Sequence, residues 1–327
     1  MYENFYGLAE PAFNLTPDPS FLFLNKRSRE AIEQILYSIE RREGFAVVVG
    51  DIGTGKTTLC WALLERLARK EIRTALIQNP MLSEIEILKS ILQDLGVRPE
   101  ETDPDPDNSP HRIFDTEWMR GMTKKQLLDR LNMFLAQRAE EDVFTVLIID
   151  EAQNMSLGLL EQMRLLSNLE TAKKKLLQII FVGQLELDRK LKSPTLRQLN
   201  QRISVRFETK PLSREDTERY VRRRIAVAGG APRLRFGSGT FRALWRHSKG
   251  YPRMINLIAD RALLGGYLER SGTITPRLVR RAVRTLQGGE NSSGFKPGWF
   301  RRLVPYAVPA LVLIVVVFFM VYQGLTQ

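Results

Sequence analysis

Gly50-Asp51-Ile52-Gly53-Thr54-Gly55-Lys56-Thr57 is the stretch from which the rest of the chain is read. It follows an apolar run, Phe45-Ala46-Val47-Val48-Val49, and precedes Leu59-Cys60-Trp61-Ala62-Leu63-Leu64. That order suits a buried parallel strand, a tight turn and a helix. The spacing GxxxxGK[ST] is that of a phosphate-binding P-loop. Gly50, Gly53 and Gly55 let the backbone turn so that amide N–H groups, including those of Asp51, Ile52 and Thr54, converge on one phosphate. Lys56 brings a point charge to the β and γ phosphates. Thr57 offers Mg²⁺ a hydroxyl, and with Thr58 it opens a helix whose N-terminal dipole favours an anion. The expected ligands are therefore ATP and Mg²⁺. A plain glycine-rich turn is the alternative, and the flanking strand and helix patterns speak against it.

A second apolar run, residues 143–149, ends in Asp150-Glu151. Two carboxylates at a strand end are what a Mg²⁺–nucleotide site needs opposite the phosphate loop. Asp150 is expected to hold Mg²⁺, and Glu151 to orient and polarise the attacking water. A third run, residues 176–182, ends at Gly183-Gln184. Gln184 then stands at a strand tip beside the γ-phosphate, or is a simple loop amide.

The chain has 327 residues and a formal net charge of +12. That length holds one α/β unit of about 200 residues and a smaller one. A lone cysteine, Cys60, excludes an internal disulfide framework, and two histidines, His111 and His247, offer no zinc cluster. Charge is uneven: residues 197–302 carry 24 Lys and Arg against 7 Asp and Glu. Such a basic half fits nucleic acid, an anionic membrane surface or well-solvated helices. Residues 303–322 carry no charge and are dense in Val, Leu, Ile and Phe, long enough to span a bilayer as a helix. Lys296, Arg301 and Arg302 precede them, with Trp299 and Tyr306 as interfacial anchors. The positive-inside rule then implies a single-pass protein of the bacterial inner membrane with its bulk in the cytoplasm.

Strand patterns at 45–49, 74–77, 143–149, 176–182 and 204–208 alternate with helical ones at 28–42, 83–95, 124–139 and 157–169. This argues a parallel sheet with its ligand at the carboxyl ends of the strands. Residues 97–122, rich in Pro, Asp and Glu, read as a poorly ordered insertion. Beyond Pro211 only helical patterns remain, at 213–228, 238–248, 252–269 and 275–286, with Ser213 and Thr275 as caps. The expected organisation is an N-terminal arm and helix over 1–43, with the arm itself extended. A nucleotide-binding α/β domain over 44–210 and an all-α lid over 211–286 follow. A linker over 287–302, a transmembrane helix over 303–322 and a short tail over 323–327 complete the chain.

Phosphate loop, Asp-Glu strand, polar strand tip and helical lid together resemble an AAA+ ATPase. The resemblance implies a P-loop NTPase sheet of strand order 5-1-4-3-2 and a homo-oligomer, ring or filament. It also implies two catalytic arginines. Arg202, in Leu199-Asn200-Gln201-Arg202-Ile203, matches the finger that reaches a neighbouring subunit's γ-phosphate, with Arg206 as alternative. Arg253, in Gly250-Tyr251-Pro252-Arg253, matches the lid motif that reaches it in cis. A planar cation there stabilises charge built on the equatorial oxygens. The blocks FYGLAEPAFNLTPDPSFLFL, GDIGTGKTTL, LIIDEAQNMSLGLLEQMRLLSNLET and KLLQIIFVGQLEL are similar to the ExeA/GspA group of bacterial membrane ATPases. Leu185 departs from that group's usual proline. The resemblance implies partners in an envelope secretion or exopolysaccharide export system. The secretion type carries a peptidoglycan-binding domain after its membrane helix, and this sequence stops five residues past Tyr322. The shorter exopolysaccharide type is therefore expected, unless the sequence is a piece of a longer chain. A DNA-binding regulator resembling TniB-type transposition proteins is the second reading, motivated by Arg222-Arg223-Arg224 and Arg280-Arg281.

Overall fold

In the computed structural model, the described residues are 1–16, 18–70, 72–97, 117–170, 174–230 and 233–287. Five parallel strands form the central sheet: β1 (Phe45–Gly50), β2 (Arg73–Ile77), β3 (Thr145–Ile149), β4 (Leu177–Gly183) and β5 (Ile203–Thr209). Their spatial order is β2-β3-β4-β1-β5, the expected order read from the other edge. Every residue of β1, β3 and β4 is buried, because a parallel sheet is covered on both faces and its inner strands need apolar side chains at both parities. The edge strand β5 alternates instead, with Ile203, Val205 and Phe207 turned inward.

Side-chain alternation divides each inner strand between two cores. Phe45, Val47 and Val49 pack with Leu147, Ile179 and Phe181 under α4 (Glu84–Asp94), α5 (Lys124–Glu140) and α6 (Leu157–Leu166). Ala46, Val48, Val146, Ile148 and Ile180 pack on the other face against α2 (Lys26–Glu40) and α3 (Lys56–Ala68). Phe45 and Phe181 stack with ring centroids 5.6 Å apart. Capping boxes at Ser83 and Thr123 open α4 and α5. Two short helices, α7 (Leu185–Leu191) and α8 (Arg197–Gln201), lie between β4 and β5.

A third core belongs to α9 (Arg214–Val227), α10 (Thr240–Ser248), α11 (Pro252–Leu268) and α12 (Pro276–Leu286). Ser213 and Thr275 cap α9 and α12 as expected, with Pro276 in the first turn of α12. This part is not purely helical. Two-residue strands, β6 (Arg235–Phe236) and β7 (Thr273–Ile274), pair in parallel, too short to leave a periodic pattern. The N-terminal arm is not simply extended either. It begins with a short helix, α1 (Tyr2–Tyr6), and its Tyr2, Tyr6, Leu8, Phe13 and Phe21 complete this third core.

The expected single-pass localisation in the inner membrane is overturned. Among the described residues no helix is long and apolar enough to cross a membrane. Residues 303–322, on which that expectation rested, lie outside the described residues, as do the linker from 288 onward and residues 98–116 of the acidic insertion.

Candidate nucleotide site

The phosphate loop leaves β1 and enters α3 with Gly53 and Gly55 at φ 77° and 98°, the left-handed region that glycine adopts at least cost. Gly50 is required by space rather than by torsion. A Cβ there would lie 2.0 Å from Thr209 Oγ1. Thr54 Oγ1 sits 2.7 Å from both the Asp51 carbonyl and Thr209 Oγ1, so the loop is fastened to the end of β5. A Cβ at Gly55 would meet nothing within 4 Å, leaving the mouth of the loop open.

Lys56 is buried, with Nζ donating to the carbonyls of Gly50 and Asp51, each at 3.0 Å. One of its three protons is left for a ligand. Burial holds the ammonium below its ordinary pKa, opposed by the charges of Glu151, Asp150 and Asp51. Burial likewise raises Asp150, which the Glu151 N–H (2.8 Å) partly offsets and the Glu151 charge reinforces. A cation and two carboxylates thus face one another in a partly dry recess, where their interactions are stronger than in water. Glu151 itself adopts φ 51°, ψ 32°, an uncommon conformation for a residue with a side chain.

One cavity of 650 Å³ is lined by Ile52 through Thr58, Glu151, Gln184 and Arg253. Gly50 and Asp51 are linked to this lining through Lys56 Nζ, and Asp150 through the Glu151 N–H. Arg253 leans on the phosphate loop, its Cβ 3.1 Å from where a Cβ of Gly53 would be. Tyr251, two residues earlier, donates from its hydroxyl to Asp51 Oδ2 at 2.9 Å. Arg202 and Arg206 are not brought to this cavity. Arg202 caps α8 and bonds Asn168 Oδ1, while Arg206 pairs with Asp188 and bonds Asn200. Arg202 immediately precedes β5, whose other end touches the phosphate loop, a separation of about 23 Å at strand rise.

Opposite the phosphate loop the cavity is walled by Phe21 to Asn25 of the arm and by Tyr220, Arg224 and Asn256. Arg224 is not a surface residue, as the arginine run suggested. It is buried between Phe21 and Tyr220, bonded to the carbonyls of Ala12 and Asn14. Gln153, which sequence reasoning passed over, donates from Nε2 to the Glu151 carboxylate and accepts the Gln184 backbone N–H at 3.0 Å. The DEAQ string contains it, yet nothing in the local pattern separates it from an ordinary loop amide.

The residues present fit a Mg²⁺ ion. The Thr57 hydroxyl and the Asp150 carboxylate would supply two oxygens, and no group of three or more His, Cys, Asp or Glu side chains that could hold a metal occurs among the described residues. Such a sparse set suits an ion that keeps waters and takes its other ligands from phosphate.

Residues 39–191 match the family model of an AAA domain. Over 298 residues the chain is 37% identical to General secretion pathway protein A of Aeromonas hydrophila, covering 91% of this chain and 51% of that protein. It therefore spans about half of its relative's length. The fold is similar to Cdc6p from Pyrobaculum aerophilum, with TM-score 0.59 and 17% identity over 82% of this chain and 70% of that one. It is also similar to the ADP form of the ORC2 protein from Aeropyrum pernix, with TM-score 0.58 and 17% identity over 83% and 71% of the two chains. At such identities these two likenesses speak to fold alone. The AAA domain match and the extended similarity to the secretion protein support an ExeA/GspA-like AAA+ ATPase.

Proposed function

We propose that the protein hydrolyses ATP and uses the turnover to drive or regulate assembly of a cell-envelope secretion or exopolysaccharide export system. The observation that carries the chemistry is the buried Lys56 ammonium, held on two loop carbonyls and facing Asp150 and Glu151. In this reading the loop amides and Lys56 bind and orient the polyphosphate. Glu151 takes a proton from water at its carboxylate as the water oxygen attacks the γ-phosphorus and the bond to the leaving diphosphate breaks. Thr57 and Asp150 would hold Mg²⁺, which would neutralise phosphate charge when bound. Arg253, already against the loop, stabilises charge on the transferring group, and Gln184 contributes a polar contact at the strand tip.

Arg202 lies too far from its own phosphate loop to act there. This favours a homo-oligomer in which it serves a neighbouring copy, with Arg206 as the alternative. Specific ATPase activity is then expected to rise with protein concentration, and Arg202→Ala to flatten that rise. Phosphate release that stays proportional to protein at all dilutions overturns the oligomer. The export-system role is supported by the similarity to a secretion-pathway protein. Its check is affinity capture of secretin-type or polysaccharide-export components, dependent on Lys56.

A second reading, a DNA-binding ATPase, is favoured by one observation. Arg277, Arg280, Arg281 and Arg284 are exposed at helical spacing along α12, with Arg281 also paired to Glu269. It requires DNA affinity that falls steeply with salt and rises with ATP. Absence of binding at low salt removes it.

A further inference from the structure

We propose that Gln153 is a positioning residue that sets the Glu151 carboxylate for water activation and couples it to the tip of β4. This rests on the reading of Glu151 as the base. The amide has one satisfactory orientation. Nε2 donates to a carboxylate oxygen of Glu151, and Oε1 accepts the N–H of Gln184 at 3.0 Å. Reversing it would set an oxygen against a carboxylate and an NH₂ against an N–H.

The bridge is held from behind as well. Gln153 belongs to a 3₁₀ turn, Ala152–Asn154, and Lys190 Nζ donates to the carbonyls of Gln153 and Met155 at 2.7 and 2.8 Å. On its other side a Cβ at Gly183 would come within 2.7 Å of Gln153 Oε1 and 3.2 Å of its backbone nitrogen. The strand end must therefore be glycine for the amide to reach its partners. One planar group thus spans the two strand ends that carry Glu151 and Gln184. Glu151, in its left-handed conformation, is held on the cavity wall shared with Lys56 and Gln184. A carboxylate fixed by a second polar group spends more of its time aimed at the attacking water, so the bridge acts on turnover rather than on nucleotide affinity.

The test compares the full chain with Gln153→Ala and Gln153→Met, the latter keeping side-chain volume without either hydrogen bond, and with Glu151→Gln alone and combined with Gln153→Ala. Each is measured for kcat, KM and ATP affinity, with its melting temperature. Loss of the bridge is expected to lower kcat about 10- to 100-fold while KM and ATP affinity stay within about threefold. Because Gln153 acts through Glu151, the double variant is expected to be no slower than Glu151→Gln. A Gln153→Met variant that turns over at the parental rate overturns the proposal. So does a KM that rises in step with the loss, or an additive double variant. If Glu151→Gln itself turns over normally, the fault lies with the base assignment, and the bridge falls with it.

Discussion

The phosphate side of the cavity rests on strands in which every residue is buried, whereas the facing side is assembled from the N-terminal arm and the helices after Pro211. On the first side the functional groups stand at the ends of adjacent strands and are fixed by ladder hydrogen bonds and short links such as Thr54 to Thr209. On the second they are fixed by contacts between residues more than two hundred positions apart: Tyr2 to Asp260, Tyr6 to the Leu263 carbonyl, Arg224 to Ala12. Strand-borne groups cannot move without disturbing a core. The arm and helices share a core of their own and meet the sheet through a few links, among them Tyr251 to Asp51. The phosphate side is thus suited to chemistry, the facing side to sensing what is bound.

The largest effect that would break this contrast is at Lys56. Replacing it by Met is expected to weaken ATP binding by about 100-fold or more, read by titration calorimetry. Stability at the same residue is expected to depend on pH. Because burial depresses the Lys56 pKa below its ordinary value near 10.5, its stabilising contribution exists above that pH and is lost as pH falls through the folded value. At neutral pH the charged side chain therefore burdens the nucleotide-free fold. Lys56→Met removes this pH dependence, so the melting temperature of the parent relative to the variant should rise between pH 7 and pH 10. A difference between the two that stays constant from pH 7 to pH 10 would remove this account.

Next in size, Glu151→Gln should lower kcat by about 100- to 1,000-fold while ATP binding persists, since only the proton acceptor is removed. Trapped nucleotide after gel filtration is the readout, and loss of binding would mean that the acid pair also builds the cradle. On the facing side, Arg224→Ala leaves the Ala12 carbonyl without its side-chain donor and the Asn14 carbonyl with that of Asn256 alone. It should cost about 2–4 kcal/mol in chemical denaturation and expose the arm to protease. An arm as resistant as the parent's would sever the supposed attachment. The smallest effect is expected at Tyr251→Phe, which removes one exposed hydrogen bond to Asp51. Stability should stay within about 0.5 kcal/mol, with at most a slight gain in ATP off-rate by stopped flow.

The sheet was readable from sequence because strands covered on both faces become unbroken apolar runs, as at residues 45–49. The phosphate loop was readable because its glycines and Lys56 have few other uses at that spacing. What stayed hidden depends on partners remote in sequence. Tyr2 and Tyr6 give no helical periodicity over five residues, and their hydroxyls answer to α11. Leu185 to Leu191 spans under two turns, too short to register as a helix. Arg222-Arg223-Arg224 looked like one charged patch, yet the rotation of a helix turns the third arginine inward and leaves its neighbours exposed. Gln153 is legible only once β3 and β4 are side by side.

The attachment of the first residues to the last helices has a practical corollary. A dye or affinity handle joined at Met1 would report on the domain formed by α9 to α12, although in sequence it lies nearer the phosphate loop. Paired with a second dye on the exposed end of α5, it would turn any nucleotide-driven rotation into a distance change visible in single molecules. A tag bulky enough to crowd α1 would disturb the core that α1 shares with α9 to α12, so N-terminal fusions are the ones to avoid when turnover is being measured.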